Sequence, residues 1–427
     1  MSVAVHRISR AVFQRERAMG LLFALLGLAI IALFGPSAEP GQQATFVLNF
    51  GQAGKTTPIP DLVLPVRGTI YLLGLLALFL AGFQLVRAFK ATSLILGGII
   101  LLSILAFLIW ATRGKSFNLT AMLGHMLLRG APIALGALSG IWCERSAVIN
   151  IAIEGMMLSG AFTSVVVASI TGNLYLGLLA AILTGGILAA LLAVLAIRFK
   201  VDQIVAGVVI NILAAGATSF LTARVLVENQ ALNASGTFRP IAIPLLSRIP
   251  VIGPVFFETN IIIYSMLFLV GVTHIILFYT RWGLRSRAVG EHPLAADTLG
   301  INVFRTRYIN VIIGGMIAGL GGTYFTLGSA GRFDELMTAG KGFIGLAAMI
   351  FGKWTPFGGF ASSLIFGFAD SLQVKLGILG VNIPYTAEPL PSEILLMAPY
   401  LATMIVLAGV VGRAIPPAAD GQPYEKQ

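Results

Sequence analysis

Leu174-Tyr-Leu-Gly-Leu-Leu-Ala-Ala-Ile-Leu-Thr-Gly-Gly-Ile-Leu-Ala-Ala-Leu-Leu-Ala-Val-Leu-Ala-Ile197 runs for 24 residues without a charged side chain. Roughly 20 apolar residues in a helix cross the hydrocarbon core of a bilayer. The stretch therefore reads as a transmembrane span. Further apolar segments fall at Met19–Phe34, Gly68–Val86, Thr92–Ala111, Leu119–Ile141, Ser146–Ile170, Ile204–Leu221, Asn260–Tyr279 and Ile309–Gly328, then at Gly342–Phe351, Gly358–Gln373 and Ile394–Val411. The pattern predicts an all-α polytopic transmembrane bundle of about 10–12 spans. Composition agrees: 57% of the 427 residues are hydrophobic and 11% charged, and the mean hydropathy is +0.93. An ordinary soluble domain is excluded.

Two of these segments are short, and Gly352-Lys-Trp-Thr-Pro-Phe-Gly358 separates them. Broken spans of this kind line cavities, because irregular backbone is tolerated at membrane depth only inside protein or against water. The pieces over 342–373 form either one re-entrant unit or two crossings.

The net charge of +11 comes from few residues, 28 Lys and Arg against 17 Asp and Glu. That balance fits loops lying on anionic lipid and gives no support to a nucleic-acid surface. Lys and Arg accumulate most where an N-terminus inside places the cytoplasmic segments: Arg7, Arg10, Arg15 and Arg17 before the first span, Arg87 and Lys90 after the second, Arg198 and Lys200 after the sixth. The Arg-rich start followed by an apolar run is taken as a first span, since 35–40 offers no small-x-small cleavage site. Two long outer loops, 36–66 and 222–259, are rich in Gly, Pro or polar residues and show no packed-core pattern.

A single cysteine, Cys143, forbids an internal disulfide, and the four histidines are scattered, so neither a metal nor another cofactor is expected. Gly51-Gln-Ala-Gly54-Lys55-Thr56 invites a phosphate-loop reading, but Asn49 stands where the first glycine is required. Energy for transport must come from elsewhere.

Polar groups inside spans mark the candidate pathway. Asn150 and Glu154 are four apart and share a face if that segment is helical. An intramembrane carboxylate needs a partner or water; Glu154 either meets solute hydroxyls or positions a broken helix, and the plainer reading pairs it with Arg129. Gln203 and Asn211 open the seventh span. His274 and Asp370 lie near span ends, where polar groups reach the interface. Gly314, Gly315, Gly319, Gly321 and Gly322 suit close helix packing.

A second informative stretch is 281–308. Pro293 suits the first position of a short helix, Leu294 to Leu299 its body, Gly300 the left-handed position after it, and Asn302 the cap of the next span. Leu294, Ala295, Leu299 and Ile301 give this basic loop an apolar face, which reads equally as a docking surface or as a loop resting on headgroups.

Glu144-Arg-Ser-Ala-Val-Ile-Asn-Ile-Ala-Ile-Glu-Gly-Met-Met157, Val201-Asp-Gln-Ile-Val-Ala-Gly207 with Asn211, and Met337-Thr-Ala-Gly-Lys-Gly-Phe-Ile-Gly-Leu-Ala-Ala348 with Phe351-Gly-Lys-Trp354 resemble the permease subunits of ATP-binding-cassette importers for branched-chain amino acids, simple sugars and nucleosides. The resemblance covers about 120–412. The Glu-Gly-Met-Met form, Ile249-Pro-Val-Ile-Gly-Pro254 and Met337-Thr-Ala-Gly340 are most similar to the nucleoside type. Ala147 and Ala152 stand where the family usually has glycine, and His292-Pro293 where Asn-Pro is usual. About 115 residues in front, with three extra spans, also depart from the pattern.

The resemblance implies three regions: extra spans with an outer loop over 1–115, the permease domain over 116–412 and a cytoplasmic tail over 413–427. It implies a non-enzymatic inner-membrane transport subunit, with ATP hydrolysed by a partner. The expected partners are a cytoplasmic ATPase, a second permease as homo- or heterodimer, and an extracytoplasmic solute-binding protein. Nucleosides or related small polar solutes are the implied cargo, with sugars or branched-chain amino acids the alternatives. Gly290, Glu291, Pro293, Asp297 and Gly300 then belong to the helix that couples to the ATPase. A proton-coupled secondary transporter relaying through Glu154, Asp370 and His274 is the reading from another class, and a passive channel lacks a filter motif.

Overall fold

In a computed structural model of the chain, residues 2–87, 92–383 and 414–426 are described, with Phe89, Pro391, Glu393 and Met397. The span expected at Ile394–Val411 lies outside the described residues. In chain order the elements are α1 (Ser2–Phe34), β1 (Gln43–Val47), α2 (Gly51–Thr56), β2 (Leu62–Pro65), α3 (Val66–Arg87), α4 (Thr92–Ala111), β3 (Ser116–Asn118), α5 (Leu119–Glu144), α6 (Ile153–Thr171) and α7 (Leu174–Ala193). They continue with α8 (Gln203–Leu221), β4 (Ile241–Ala242), α9 (Ile252–Phe256), β5 (Glu258–Thr259), α10 (Ile261–Tyr279), α11 (Arg281–Glu291), α12 (Pro293–Thr298), α13 (Val303–Gly322), α14 (Lys341–Phe351) and α15 (Pro356–Leu379).

Among the described residues, ten helices are long and apolar enough to cross a membrane. The chain is a multi-pass helical bundle. Four of these spans, α7, α8, α10 and α13, begin where short polar side chains satisfy the first free N–H groups: Asn173 accepts from Tyr175, Asp202 from Ile204 and Val205, Asn260 from Ile263, and Asn302 from Arg305.

The described residues divide into two compact units, one within Met1–Leu123, Pro244–Val255 and Asp370–Gly412, the other within Gly124–Ile243, Phe256–Ala369 and Arg413–Gln427. In the first, α1, α3 and α4 pack around Phe23, Ala81, Leu96 and Ile99. Trp110, its ring tilted against Phe34 and Phe107, donates to Ser37 Oγ at 2.7 Å. The 36–66 loop carries more order than expected. Its β1 pairs antiparallel with β2 and parallel with β3, and Ala44 and Phe46 are buried. A five-residue strand with one inward face is too short to stand out against neighbouring apolar spans.

In the second unit α6, α7 and α13 form a seam of small residues. A Cβ on Gly315 would lie 2.1 Å from Ala189 Cβ, and one on Gly319 only 2.1 Å from the Ala181 carbonyl oxygen. Backbones this close admit no side chain, which is the packing expected of these glycines.

Several segment boundaries differ from the sequence expectation: α1 already begins at Ser2 rather than Met19, and three further edges differ downstream. The span expected from Ser146 begins at Ile153, because 145–152 form an irregular loop. The ninth begins at Val303, taking Arg305 and Arg307 into its helix. The piece at 358–373 belongs to α15, which runs from Pro356 to Leu379 past Lys375 and is long enough to cross. In each case charge or its absence misplaced the edge, because backbone capping sets where a helix ends.

Candidate functional site: an interrupted helix and its carboxylate cap

The loop 145–152 turns on Ala147, whose φ of +65° lies in the left-handed region. Glycine is the residue suited to that conformation. The loop is then fastened by two side chains of α8. Gln203 Oε1 accepts from Ile149 N at 2.7 Å. Asn211 spans the junction with α6, donating to the Ile151 carbonyl at 2.9 Å and accepting from Gly155 N at 2.8 Å. Asn150, fully buried, caps its own turn by accepting from Ala152 N at 3.1 Å, and its amide faces Cys143 and Met156 sulfurs. Because Asn150 precedes the helix, it and Glu154 do not share a helical face.

Glu154, in the first turn of α6, reaches the segment before α14. Its Oε1 accepts from the Thr338 hydroxyl at 2.6 Å and from Gly340 N at 2.7 Å, and Oε2 accepts from Gly342 N at 2.6 Å. Gly340, at φ +77°, provides no side-chain cap to α14. The carboxylate of another helix supplies it, placing a negative charge against the positive end of α14. Gly342 admits this approach because a Cβ there would lie 2.7 Å from Glu154 Cα.

A Cβ on Gly345 would come within 3.0 Å of Gly136, and one on Gly140 within 2.7 Å of Met349 Sδ, so α14 runs alongside the last turns of α5. Beyond its end, Trp354 donates to Glu144 Oε2 at 2.6 Å, and Arg145 Nε donates to the Trp354 carbonyl at 3.0 Å. The 11 residues of α14 rise about 16 Å at roughly 1.5 Å each. That is about half of the roughly 30 Å that a full crossing of the core requires.

The short helix over 293–298 has the expected chemistry. Pro293 is at its first turn, His292 Nδ1 accepts from Ala295 N at 3.1 Å, and Gly300 takes φ +78°. Leu294 and Leu299 are exposed. Gly290 and Glu291 are already engaged by residues 418–419: Ala419 N donates to the Gly290 carbonyl and Ala418 N to Glu291 Oε2. Asp297 lies beside Tyr424. Of the remaining groups, His274 packs its ring against Phe278 and Phe357.

Sequence reasoning passed over Thr338, Gly340 and Gly342 as partners of Glu154, although Gly340-Lys-Gly342 between two apolar segments is a helix-start signal. Trp354 and the 414–426 tail carried no such signal.

The permease component of branched-chain amino acid transport systems, as a family, matches residues 122–412. The chain belongs to that permease family. The permease is 43% identical over 310 residues to the guanosine ABC transporter permease NupQ of Bacillus subtilis, covering 70% of this chain and 95% of the relative. It is 40% identical over 316 residues to the nucleoside ABC transporter permease NupC of Lactococcus lactis subsp. cremoris, covering 72% and 98%. A putative glucose ABC transporter permease of Haloferax volcanii is 35% identical over 292 residues, covering 66% and 88%. No solved structure matches. As an ABC permease it is a transport subunit rather than an enzyme, and ATP hydrolysis belongs to a separate ATPase.

Proposed function

We propose that this permease carries nucleosides or closely related small polar solutes inward, driven by a cytoplasmic ATPase. The observation that carries the cargo is the similarity to guanosine and nucleoside permeases over almost their whole length. The broken helix supports it. An amino-acid carboxylate would suit an unoccupied half-helix N-terminus, but Glu154 already neutralises that of α14, which favours a solute without net negative charge.

Asn150, Glu154, Gln203 and Asn211 act as positioning residues that hold the interruption open beside the pathway. The N-terminus lies inside, on the positive-inside distribution of Arg and Lys. That places α12 in the cytoplasm, with Leu294 and Leu299 as the apolar contact for the ATPase. Residues 1–115 are extra spans outside a permease domain over 116–412. A second permease and an extracytoplasmic binding protein complete the assembly.

The test is uptake of labelled guanosine, adenosine and uridine, challenged with excess glucose or leucine, in cells whose own nucleoside uptake is deleted. Saturable nucleoside uptake that glucose and leucine leave intact is expected. Uptake of glucose or leucine with none of nucleosides would overturn the assignment.

A further inference from the structure

Residues 414–426 have no place in the site described above, yet they touch α11, α12, α13 and the 145–152 loop of the second unit. Ala419 N donates to the Gly290 carbonyl at 3.0 Å and Ala418 N to Glu291 Oε2 at 3.2 Å, which fixes them to the end of α11. Tyr424 is buried with Val289, Ala296 of α12 and Val303, and its ring meets Phe304 at 5.2 Å between centroids. Arg307 of α13, 2% exposed, donates from Nη1 to the Gln422 carbonyl at 3.0 Å, and its Nε and Nη2 have no protein partner. Lys200, following α7, pairs with Glu425.

The same segment reaches the interrupted loop. The Asp420 carboxyl lies against the Glu144 carboxyl that precedes the loop, and a Cβ on Gly421 would lie 2.8 Å from Ile149 Cδ1. Gly421 itself is at φ +74°. Pro416, Pro417 and Pro423 restrict the backbone, so little entropy is lost when the segment is laid across the helices.

We propose that residues 414–426 are a coupling strap, a positioning element that ties α12 to the 145–152 loop and carries displacement of one to the other. It rests on the reading of α12 as the ATPase contact. Physically, α11 meets the interrupted loop at Gly290, where a Cβ would lie 2.4 Å from the Arg145 carbonyl oxygen. The strap adds a second, independent fastening, through Tyr424 at α12 and through Asp420 and Gly421 at the loop. Removing it leaves the buried Arg307 guanidinium without its hydrogen bond, which breaks the link to α13 as well.

The experiment compares wild type, a chain ending at Ala414, Gly421→Val and Tyr424→Phe, each purified with its ATPase and placed in proteoliposomes. The readout is solute moved per ATP hydrolysed, a ratio that loss of folded protein does not change. The strap predicts at least a tenfold fall for the truncation and for Gly421→Val, with Tyr424→Phe within twofold of wild type because the ring and not the hydroxyl packs. An unchanged ratio in Gly421→Val would overturn it. A second measurement needs no ATPase: amide hydrogen exchange in the detergent-solubilised protein. Gly421→Val is expected to speed exchange at both 145–152 and 290–300, and acceleration at neither would also overturn the strap. Failure of wild type to assemble with any ATPase would refute the importer reading, and the exchange result then decides the strap alone.

Discussion

Replacing Glu154 by glutamine keeps the shape of the side chain and removes its charge. Of the three donors at 2.6–2.7 Å, the amide retains partners for one oxygen only. Whichever way it sits, its NH₂ faces an N–H or hydroxyl donor. One hydrogen bond to a charged acceptor contributes about 1.5–3 kcal/mol, and a carboxylate at a helix N-terminus about 0.3–2 kcal/mol more. Together the loss is on the order of 3 kcal/mol, roughly a hundredfold in the equilibrium between docked and released α14. The assay is thermal unfolding in detergent alongside uptake kinetics. The expected outcome is a midpoint several degrees lower and a reduced maximal rate, with KM within about threefold of wild type. A midpoint equal to wild type with KM raised more than tenfold would refute the capping argument and assign the carboxylate to the solute.

Three further outcomes are expected. Ala147→Gly should raise stability by about 1 kcal/mol, read as a higher thermal midpoint, because Ala147 holds φ +65°; a lower midpoint would contradict this. Gly315→Leu should cost at least about 3 kcal/mol, the upper end of ordinary overpacking, and give little monodisperse protein by size exclusion, since its first carbon would already meet Ala189. Burial pushes Asp420 up to about 6, against the Glu144 hydrogen bond, the Gly421 N–H and the Arg307 charge that pull it down. Its raised value means that docking is favoured with the proton on and that this contribution fades as pH rises from about 4 through about 6. Anisotropy of a fluorophore at Lys426→Cys should therefore fall between about pH 4 and 6, and Asp420→Asn should remove the step.

The bundle was legible because uncharged length is sufficient to mark a span, and the α12 helix because proline, glycine and asparagine each have a fixed place around a helix. Asn150, Gln203 and Asn211 were found as polar groups in apolar surroundings, and the structure brings all three to one loop. Their partners were not legible. Ile149, Ile151 and Gly155 contribute backbone groups, which no side-chain pattern announces. Thr338 lies 184 positions from Glu154, and a single sequence holds no measure of which distant segments meet. The tail was hidden for the opposite reason, because Pro, Ala and Gly resemble an ordinary disordered end until Tyr424 is seen inside a cluster.

The glycine seam of α6, α7 and α13 has a thermal consequence. Burial of apolar surface from water weakens on cooling, but helices already within lipid gain little from that source when they meet. What holds Gly315 against Ala189 is dispersion between surfaces in contact, an attraction that is enthalpic and needs no solvent. The seam keeps its grip in the cold, so loss of transport at low temperature would originate in stiffened lipid or slowed ATP turnover rather than in a loosened bundle.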